Sequence, residues 1–314
     1  MRCIFLGSPP FAMPVFEALL ECGHDVLALV TRPDKPRGRG REVVPSSLVV
    51  RAREAGLPVL QPVTTKDPAF IEELQALEPD VLLVASYGEI LRQDLLELAP
   101  HGALNVHASL LPRWRGASPI QRAVAAGDAE TGVTIQRMVL ALDEGDVLLE
   151  KRLAIGPGAT SGSLFGELAQ LGGVAAVEAL DRLEAGTATF MPQDPEHATY
   201  APKLKKADGE VDWARAAVEL ERHVRAMHPW PGARAATAAG KEFVIEAARP
   251  SELEGGAPGE LLEVAPRCIV ATGAGSLELQ TVKPAGKRAM EAGAWLRGAR
   301  LEAGERLQSP PSTP

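Results

Sequence analysis

Residues 80–107 read DVLLVASYGEILRQDLLELAPHGALNVH and contain two apolar runs, 80–85 and 102–106, that predict β-strands. Neither run alternates apolar with polar residues. Continuous apolar strands are typical of a parallel sheet that is covered by helices on both faces. This stretch therefore predicts an α/β fold with a buried parallel sheet.

The alternation of strand and helix extends along the rest of the first half. The further predicted elements are strands at 2–6, 25–31, 58–60 and 132–138, and helices at 11–22, 45–55 and 69–77. Right-handed crossovers between such strands give an open, doubly wound, Rossmann-like sheet. Ligands of these sheets bind outside the carboxyl ends of the strands, so the functional site is expected there.

The second half of the chain has a different pattern of apolar, Gly and Pro residues. One long helix is predicted at 161–183, and residues 190–206, rich in Pro and Lys, are predicted to be a linker after a first domain at 1–189. Residues 207–307 predict a small β-barrel, because short alternating stretches there are separated by Gly and Pro. Its predicted elements are a helix at 213–227 and strands at 234–238, 241–248, 259–264, 267–272, 276–283 and 298–303. The last residues, 308–314, predict a disordered tail.

Composition excludes several classes of protein. The 314 residues are 46% hydrophobic and carry a net charge of −8, which excludes a disordered chain and a protein coated in basic charge. Three cysteines are too few for a disulfide framework and have no zinc-type spacing, so we expect no cysteine-based zinc site. Without a signal peptide or an apolar run of membrane length, the chain is expected to be cytoplasmic and not to bind membranes. We also expect it to be a monomer.

The first turn of the predicted sheet argues against the usual ligands of this fold. The strand at 2–6 leads into GSPPFAMP at 7–14 rather than G-x-G-x-x-G. Pro9 and Pro10 lack the backbone N–H groups that a pyrophosphate needs. No G-x-x-x-x-G-K-[ST] segment follows elsewhere, so NAD, FAD and ATP are disfavoured.

Three polar residues form a possible chemical site. Asn105 and His107 end a predicted strand and, two residues apart, point to the same side of it. Asp143 lies in a turn after the next strand. An amide that polarises a carbonyl, a histidine that exchanges protons and a carboxylate suit attack of an amine on a carbonyl carbon. The pattern alone leaves open a structural histidine, a turn-capping asparagine, and a solvated acidic turn or weak metal site.

Longer stretches of sequence around these residues favour the catalytic interpretation over the structural ones. Residues 105–138, NVHASLLPRWRGASPIQRAVAAGDAETGVTIQRM, followed by LDEGDVL at 142–148, resemble the folate-dependent formyltransferases. The long form of this string resembles the members that act on methionyl initiator tRNA. The same members are matched by GSPPFAMP at 7–14, TRPDKPRGRG at 31–40, YAPKL at 200–204 and HPWPGA at 228–233. The resemblance covers nearly the whole chain and implies that the C-terminal barrel is OB-fold-like.

The resemblance assigns catalytic roles. It implies that Asn105 binds the formyl oxygen as it becomes an oxyanion, that His107 is the general acid and base, and that Asp143 orients the histidine and manages protons through a water. The residues that it implies for the 10-formyltetrahydrofolate site are Ser109, Leu110, Leu111 and Pro112 and, for the pterin, Tyr87, Ile90 and Leu91. Ala108 and Ala141 depart from the usual family residues, but neither position carries a reacting group.

Local basic clusters are expected to hold the tRNA. The segment at 32–41 overhangs the predicted crevice, and the resemblance implies that it enters the acceptor stem and that Arg39 reads the unpaired first base pair. Guanidinium groups suit phosphates and base edges. The residues predicted to contact tRNA are Arg37, Arg39 and Arg41, then Lys203, Lys205 and Lys206, and finally Lys287 and Arg288.

The sequence therefore predicts an enzyme that passes a formyl group from 10-formyltetrahydrofolate to methionyl initiator tRNA, without a metal. Alternatives are a related formyltransferase for a small amine, such as a nucleotide sugar or glycinamide ribonucleotide, and a module that releases formate from the same folate. The basic loop and appended barrel argue against the small amines. A module that only binds folate or tRNA has no need of Asn105, His107 and Asp143 together.

Overall fold

A computed structural model describes residues 1–37 and 42–310 of the chain. These residues form two compact units. The first comprises the described residues of Met1–Pro119, Glu130–Ala154 and Phe165–Ala201, and the second comprises Ile120–Ala129, Ile155–Leu164 and the described residues from Pro202 onward.

The first unit is a sheet with covering helices. Its strands are β1 (Arg2–Gly7), β2 (Asp25–Val30), β3 (Pro36–Arg37), β4 (Glu42–Val43), β5 (Val59–Leu60), β6 (Val81–Ala85), β7 (Ala103–His107), β8 (Arg115–Gly116), β9 (Glu130–Arg137), β10 (Val147–Ala154) and β11 (Tyr200–Ala201). Its helices are α1 (Ala12–Glu21), α2 (Ser47–Glu54), α3 (Pro68–Ala76), α4 (Gln93–Leu96) and most of α6 (Ser161–Glu184), while α5 (Pro119–Ala126) falls almost wholly in the second unit.

The main sheet has the strand order β10-β9-β7-β6-β1-β2-β5. The strands β7, β6, β1, β2 and β5 run parallel, which confirms the predicted Rossmann-like fold. At one edge, however, β9 runs antiparallel to β7, and β10 runs antiparallel to β9. An apolar pattern reports burial rather than strand direction, so the run at 132–138 could not reveal this reversal.

The core explains why the parallel strands are so apolar. Side chains of β1 and β6, including Ile4, Leu6 and Leu82, pack with Phe70 and Leu74 of α3. The register of this buried sheet places Asn105 of β7 beside Val84 of β6 on one side and Gln136 of β9 on the other. The sheet thereby fixes the position of the Asn105–His107 pair.

The second unit is a nearly closed antiparallel barrel. Its strands are β12 (Ala233–Thr237), β13 (Glu242–Ser251), β14 (Leu261–Glu263), β15 (Cys268–Ala271), β16 (Ser276–Pro284), β17 (Met290–Glu291) and β18 (Leu307–Gln308), and its helices include α7 (Ala217–Met227) and α8 (Ala292–Ala299). They follow the order β14-β15-β16-β13-β12-β18, with β17 against β16. A bridge between Glu260 and Arg306 links the two ends of this order, as the predicted barrel requires.

Two sequence predictions differ from the structure here. The strand predicted at 298–303 is wrong: α8 extends to Ala299, and Arg300 ends it in the left-handed conformation. Ala292, Trp295 and Leu296 bury one face at helical spacing, and this packing decides the conformation. The predicted disordered tail begins with placed residues, since Gln308 pairs with Ala236 and the Ser309 hydroxyl donates to the Val211 carbonyl oxygen at 2.7 Å. Residues 311–314 lie outside the described residues.

The predicted linker, 190–206, contains structure of its own. Its elements are β11 and a short 3-10 turn at Pro195–His197, and a second 3-10 turn, Lys206–Gly209, begins at its last residue. The division between the units falls inside it, between Ala201 and Pro202. Within the described residues, no helix has both the length and the apolar character that crossing a membrane requires.

Candidate active site

The site is built from the end of β7 and the loop that follows β9. The strand presents Asn105 and His107, and the loop brings Asp143 to both of them. Asn105 Nδ2 lies 3.5 Å from Asp143 Oδ1, and His107 Nδ1 lies 3.7 Å from Asp143 Oδ2. The three residues that sequence reasoning singled out therefore meet around one carboxylate.

His107 is held in one orientation. It is only 6% exposed, and its Nε2 lies 3.1 Å from the backbone oxygen of Trp114. Because a carbonyl oxygen can only accept, the neutral ring carries its proton on Nε2. The free lone pair is then on Nδ1, the nitrogen that faces Asp143. The ring can take up a proton at that atom, next to a negative charge.

Asp143 accepts several hydrogen bonds. Gln136 Nε2 donates to Oδ1 at 2.9 Å, and the Gly116 backbone N–H donates to Oδ2 at 2.8 Å. Asp143 itself is in the left-handed conformation, with φ of 55°, which Asp tolerates better than most residues. These contacts hold the carboxylate between Asn105 and His107.

The turn around Asp143 is confined on both sides. A Cβ at Gly145 would overlap the backbone oxygen of Arg137, so only glycine fits there. On the other side, Gln193 Nε2 donates to the backbone oxygens of Asp143 and Gly145 at 2.8 and 2.7 Å. Arg115 in turn donates to Gln193 Oε1 and lies 3.1 Å from Glu144.

Sequence reasoning missed Gln136 and Gln193. Gln136 is itself buried in β9, only 1% exposed, and its signal was a glutamine directly after the apolar Ile135 in a predicted strand. Gln193 carried no signal, because it lies fifty residues from Asp143 in a Pro-rich segment that predicted only a linker.

The residues predicted for the folate site have different surroundings. Tyr87 and Leu91 are buried with the core of the sheet, whereas Ile90 is 85% exposed. Burial raises the pKa of the Tyr87 phenol to about 12. In the second stretch, Ser109 and Leu111 are buried and Leu110 and Pro112 are half-buried. The Ser109 hydroxyl donates to the Arg113 carbonyl oxygen at 2.6 Å, which shapes the loop after β7.

The predicted tRNA contacts are described only in part. Arg39 and Arg41 lie outside the described residues, and Arg37 is placed by its backbone alone, opposite Glu42 in the β3–β4 pair. The remaining side chains are all exposed on the second unit: Lys203, Lys205, Lys206, Lys287 and Arg288. Over the described ranges, 1–37 and 42–310, no cluster of His, Cys, Asp and Glu is arranged to hold a metal.

Two family models match the chain. Residues 1–180 match the formyl transferase model, and residues 203–300 match the formyl transferase C-terminal domain model. A methionyl-tRNA formyltransferase of Symbiobacterium thermophilum is 44% identical over 317 residues, which cover 100% of this chain and 97% of that protein. One of Myxococcus xanthus is 47% identical over 304 residues, 96% of each chain.

Solved structures share the fold at low identity. HypX from Aquifex aeolicus, solved with tetrahydrofolic acid, matches with a TM-score of 0.62 at 20% identity; the match covers 94% of this chain and 47% of that one. An N-formyltransferase of Helicobacter canadensis, solved with folinic acid and dTDP-3-aminofucose, matches with a TM-score of 0.66 at 16% identity over 90% of this chain and 98% of that one.

The fold, the site and the family models define one class of protein: the chain belongs to the formyl transferase family. Within that family, it is similar over nearly its whole length to the proteins named methionyl-tRNA formyltransferase.

Proposed function

We propose that this protein transfers the formyl group of 10-formyltetrahydrofolate to the α-amine of methionine carried by the initiator tRNA. The observation that carries the proposal is the meeting of Asn105, His107 and Asp143 at the end of β7. Full-length similarity to methionyl-tRNA formyltransferases supports the choice of substrate. We expect the enzyme to work in the cytoplasm as a monomer.

The chemistry requires one oxyanion to be stabilised and one proton to be moved. The methionine nitrogen attacks the formyl carbon, and a tetrahedral intermediate forms with negative charge on its oxygen. Within the described residues, the contact of Asn105 Nδ2 with Asp143 is long, 3.5 Å, so the amide is available to donate to that oxygen. The amide thus stabilises charge that is absent from the bound substrate.

Proton transfer falls to His107. The attacking amine loses a proton, and the N10 atom of the folate gains one as its bond to the formyl carbon breaks. His107 Nδ1, with its free lone pair, takes the first proton and returns one to N10. Asp143 stabilises the imidazolium that exists between these steps. The products are N-formylmethionyl-tRNA and tetrahydrofolate, and no proton is gained or lost overall.

Substrate binding divides between apolar and basic residues. A flat pterin requires apolar walls with backbone polar groups, and the 86–91 loop and Ser109–Pro112 offer both. Phosphates of the tRNA require cations, for which the exposed lysines at 203, 205 and 206 and the 32–41 segment are proposed.

A single-turnover assay tests this function. The protein is mixed with 10-formyltetrahydrofolate and methionine-charged initiator tRNA, and then with charged elongator tRNA, free methionine or glycinamide ribonucleotide. We expect rapid formylation of the initiator tRNA alone. His107→Ala, purified in parallel, should bind both substrates and lose turnover, which assigns the activity to this site.

Other results would replace this function by a specific alternative. Preferential formylation of glycinamide ribonucleotide would make the protein a small-amine formyltransferase. Release of formate without transfer would make it a hydrolase, and binding of folate and tRNA without either reaction would make it a binding module.

A further inference from the structure

Residues Met191–Ala201, here called the strap, run between the turn that holds Asp143 and the loop that follows His107. At one end, the backbone groups of Met191 and Val147 exchange hydrogen bonds of 2.8 and 2.9 Å, next to the turn that holds Asp143. At the other end, Tyr200–Ala201 pairs in parallel with Arg115–Gly116, in the loop that follows His107. The strap lies wholly within the first unit.

Gln193 joins the strap to Asp143. Its Nε2 lies 2.8 Å from the backbone oxygen of Asp143, while its Oε1 lies 2.9 and 3.1 Å from two nitrogens of Arg115. Carbonyl oxygens only accept and a guanidinium only donates, so these partners leave one orientation for the Gln193 amide. Each end of the amide group therefore has an assigned partner.

Thr199 joins the strap to the other side of His107. The backbone N–H of Trp114 donates a hydrogen bond to Thr199 Oγ1 at 2.8 Å. The backbone N–H of Arg115 donates to the Thr199 backbone oxygen at 2.9 Å. Trp114 is in the left-handed conformation, with φ of 63°, and its own backbone oxygen receives His107 Nε2. The strap thus supports a group on each side of the imidazole.

We propose that two residues of the strap, Gln193 and Thr199, are positioning residues for the active site. Gln193 holds the Asp143 turn, and Thr199 holds the Trp114 carbonyl, so together they fix the spacing of the two groups that orient His107. The proposal rests on the formyl transfer proposed above. A displacement of about 1 Å at a reacting group costs roughly 100-fold in rate, which is why such support matters.

Three substitutions separate positioning from other roles. Gln193→Glu keeps an acceptor for Arg115 but removes the donor to Asp143 and Gly145. Thr199→Val removes the hydroxyl at nearly constant volume, and Thr199→Ser restores it. Glu196→Ala is the matched control, because Glu196 is an exposed strap residue that bonds to Asp194 through its backbone N–H, which alanine retains.

The experiment measures kcat and KM for both substrates, with thermal unfolding of each full-length variant. We expect Gln193→Glu and Thr199→Val to lower kcat by about 10- to 100-fold with KM nearly unchanged. Thr199→Ser and Glu196→Ala should keep the wild-type kcat. Recovery of kcat by serine is the result that a purely structural role would not produce if the valine variant is as stable as the wild type.

The inference is overturned if both variants keep wild-type kcat, since the strap would then be only a spacer. It is overturned as well if they raise KM alone, since the two residues would then contact the substrate. It is also overturned if both variants fail to fold, because the strap would then be a folding element. Wild-type protein is assayed alongside. Its failure to formylate methionyl-tRNA would reject the proposed function, whereas an active wild type with unaffected variants would reject the strap alone.

Discussion

Both carboxylate oxygens of Asp143 accept hydrogen bonds that hold the turn, and Oδ2 also faces His107 Nδ1 at 3.7 Å. Gln136 Nε2 donates a hydrogen bond to Oδ1, and the Gly116 backbone N–H donates one to Oδ2, so both oxygens already have donors. An amide in its place has one acceptor and one donor, and that donor would face another donor at one of these two positions. Asparagine also tolerates the left-handed backbone, so the substitution disturbs the charge and the hydrogen bonds more than the fold.

Asp143→Asn should therefore lower kcat by about 10²- to 10⁴-fold, the usual range for loss of general acid–base assistance. KM for both substrates should change little, since the carboxylate is proposed to act on the proton rather than on binding. Steady-state formylation and thermal unfolding check this. Asp146→Asn, in the same turn but exposed, is the control. A variant that loses substrate binding while keeping single-turnover chemistry would contradict the assigned role.

At the scale of secondary-structure elements, the sequence predicted best those strands whose side chains are buried on both faces of the sheet. Fully apolar strands such as β6 could be predicted because both faces of the sheet are covered, and the Asn105–His107 spacing follows from strand geometry. The direction of β9 and the helical state of Ala292–Ala299 could not be predicted in this way. Both depend on which tertiary neighbour covers an apolar face. Pairing of Gln193 with the Asp143 turn is a long-range contact that no local pattern encodes.

Helix α7 contains a titratable group that its packing keeps neutral. His223 lies on the same buried face as Leu220 and Val224, and its Nε2 finds no hydrogen-bond partner within the described residues. Burial, with a smaller effect from Arg215, lowers the pKa of His223 to about 4. A hydrogen bond with the Gly209 backbone and the charge of Asp208 act in the opposite direction, while Arg122 adds to the lowering.

This shift predicts an acid-sensitive second unit. An unfolded chain protonates His223 near pH 6.5 and the native unit only near pH 4, so the free energy of unfolding falls as pH falls through that window. The loss from this residue between pH 7 and pH 5 should be about 2 kcal/mol. Urea unfolding followed by tryptophan fluorescence measures it, because Trp213 and Trp295 are buried in the same unit and report on its unfolding.

His223→Gln should make that unfolding free energy less dependent on pH over the same range, even if its absolute stability is lower. His197→Gln, with an exposed imidazole in the first unit, is the matched control and should leave the dependence unchanged. An unaltered pH dependence in His223→Gln would place the acid sensitivity elsewhere in the protein.

At the scale of the whole molecule, the charge distribution sets the conditions for binding a polyanion. The net charge is −8, so the average field of the protein repels tRNA. Binding must therefore come from short-range basic clusters that displace counterions from the phosphates. Lys203, Lys205 and Lys206 form one such cluster, and all three are exposed. Since a long-range repulsion is screened by salt while counterion release is weakened by it, the sign of the salt effect reports which term dominates.

We expect counterion release to dominate, so tRNA affinity should fall steeply with salt. Replacing the three lysines with glutamine should lower the slope of log Kd against log salt concentration by about 2 to 3, roughly one for each phosphate that a lysine no longer neutralises. Filter binding with initiator tRNA measures the slope, and Lys66→Gln, an exposed lysine outside the proposed clusters, is the control. The single-turnover rate at saturating tRNA should stay unchanged, because these lysines are proposed to hold the substrate and not to touch the reacting atoms. An unchanged slope in the triple variant would assign the electrostatic contact to other residues and leave the chemistry at Asn105, His107 and Asp143 untouched.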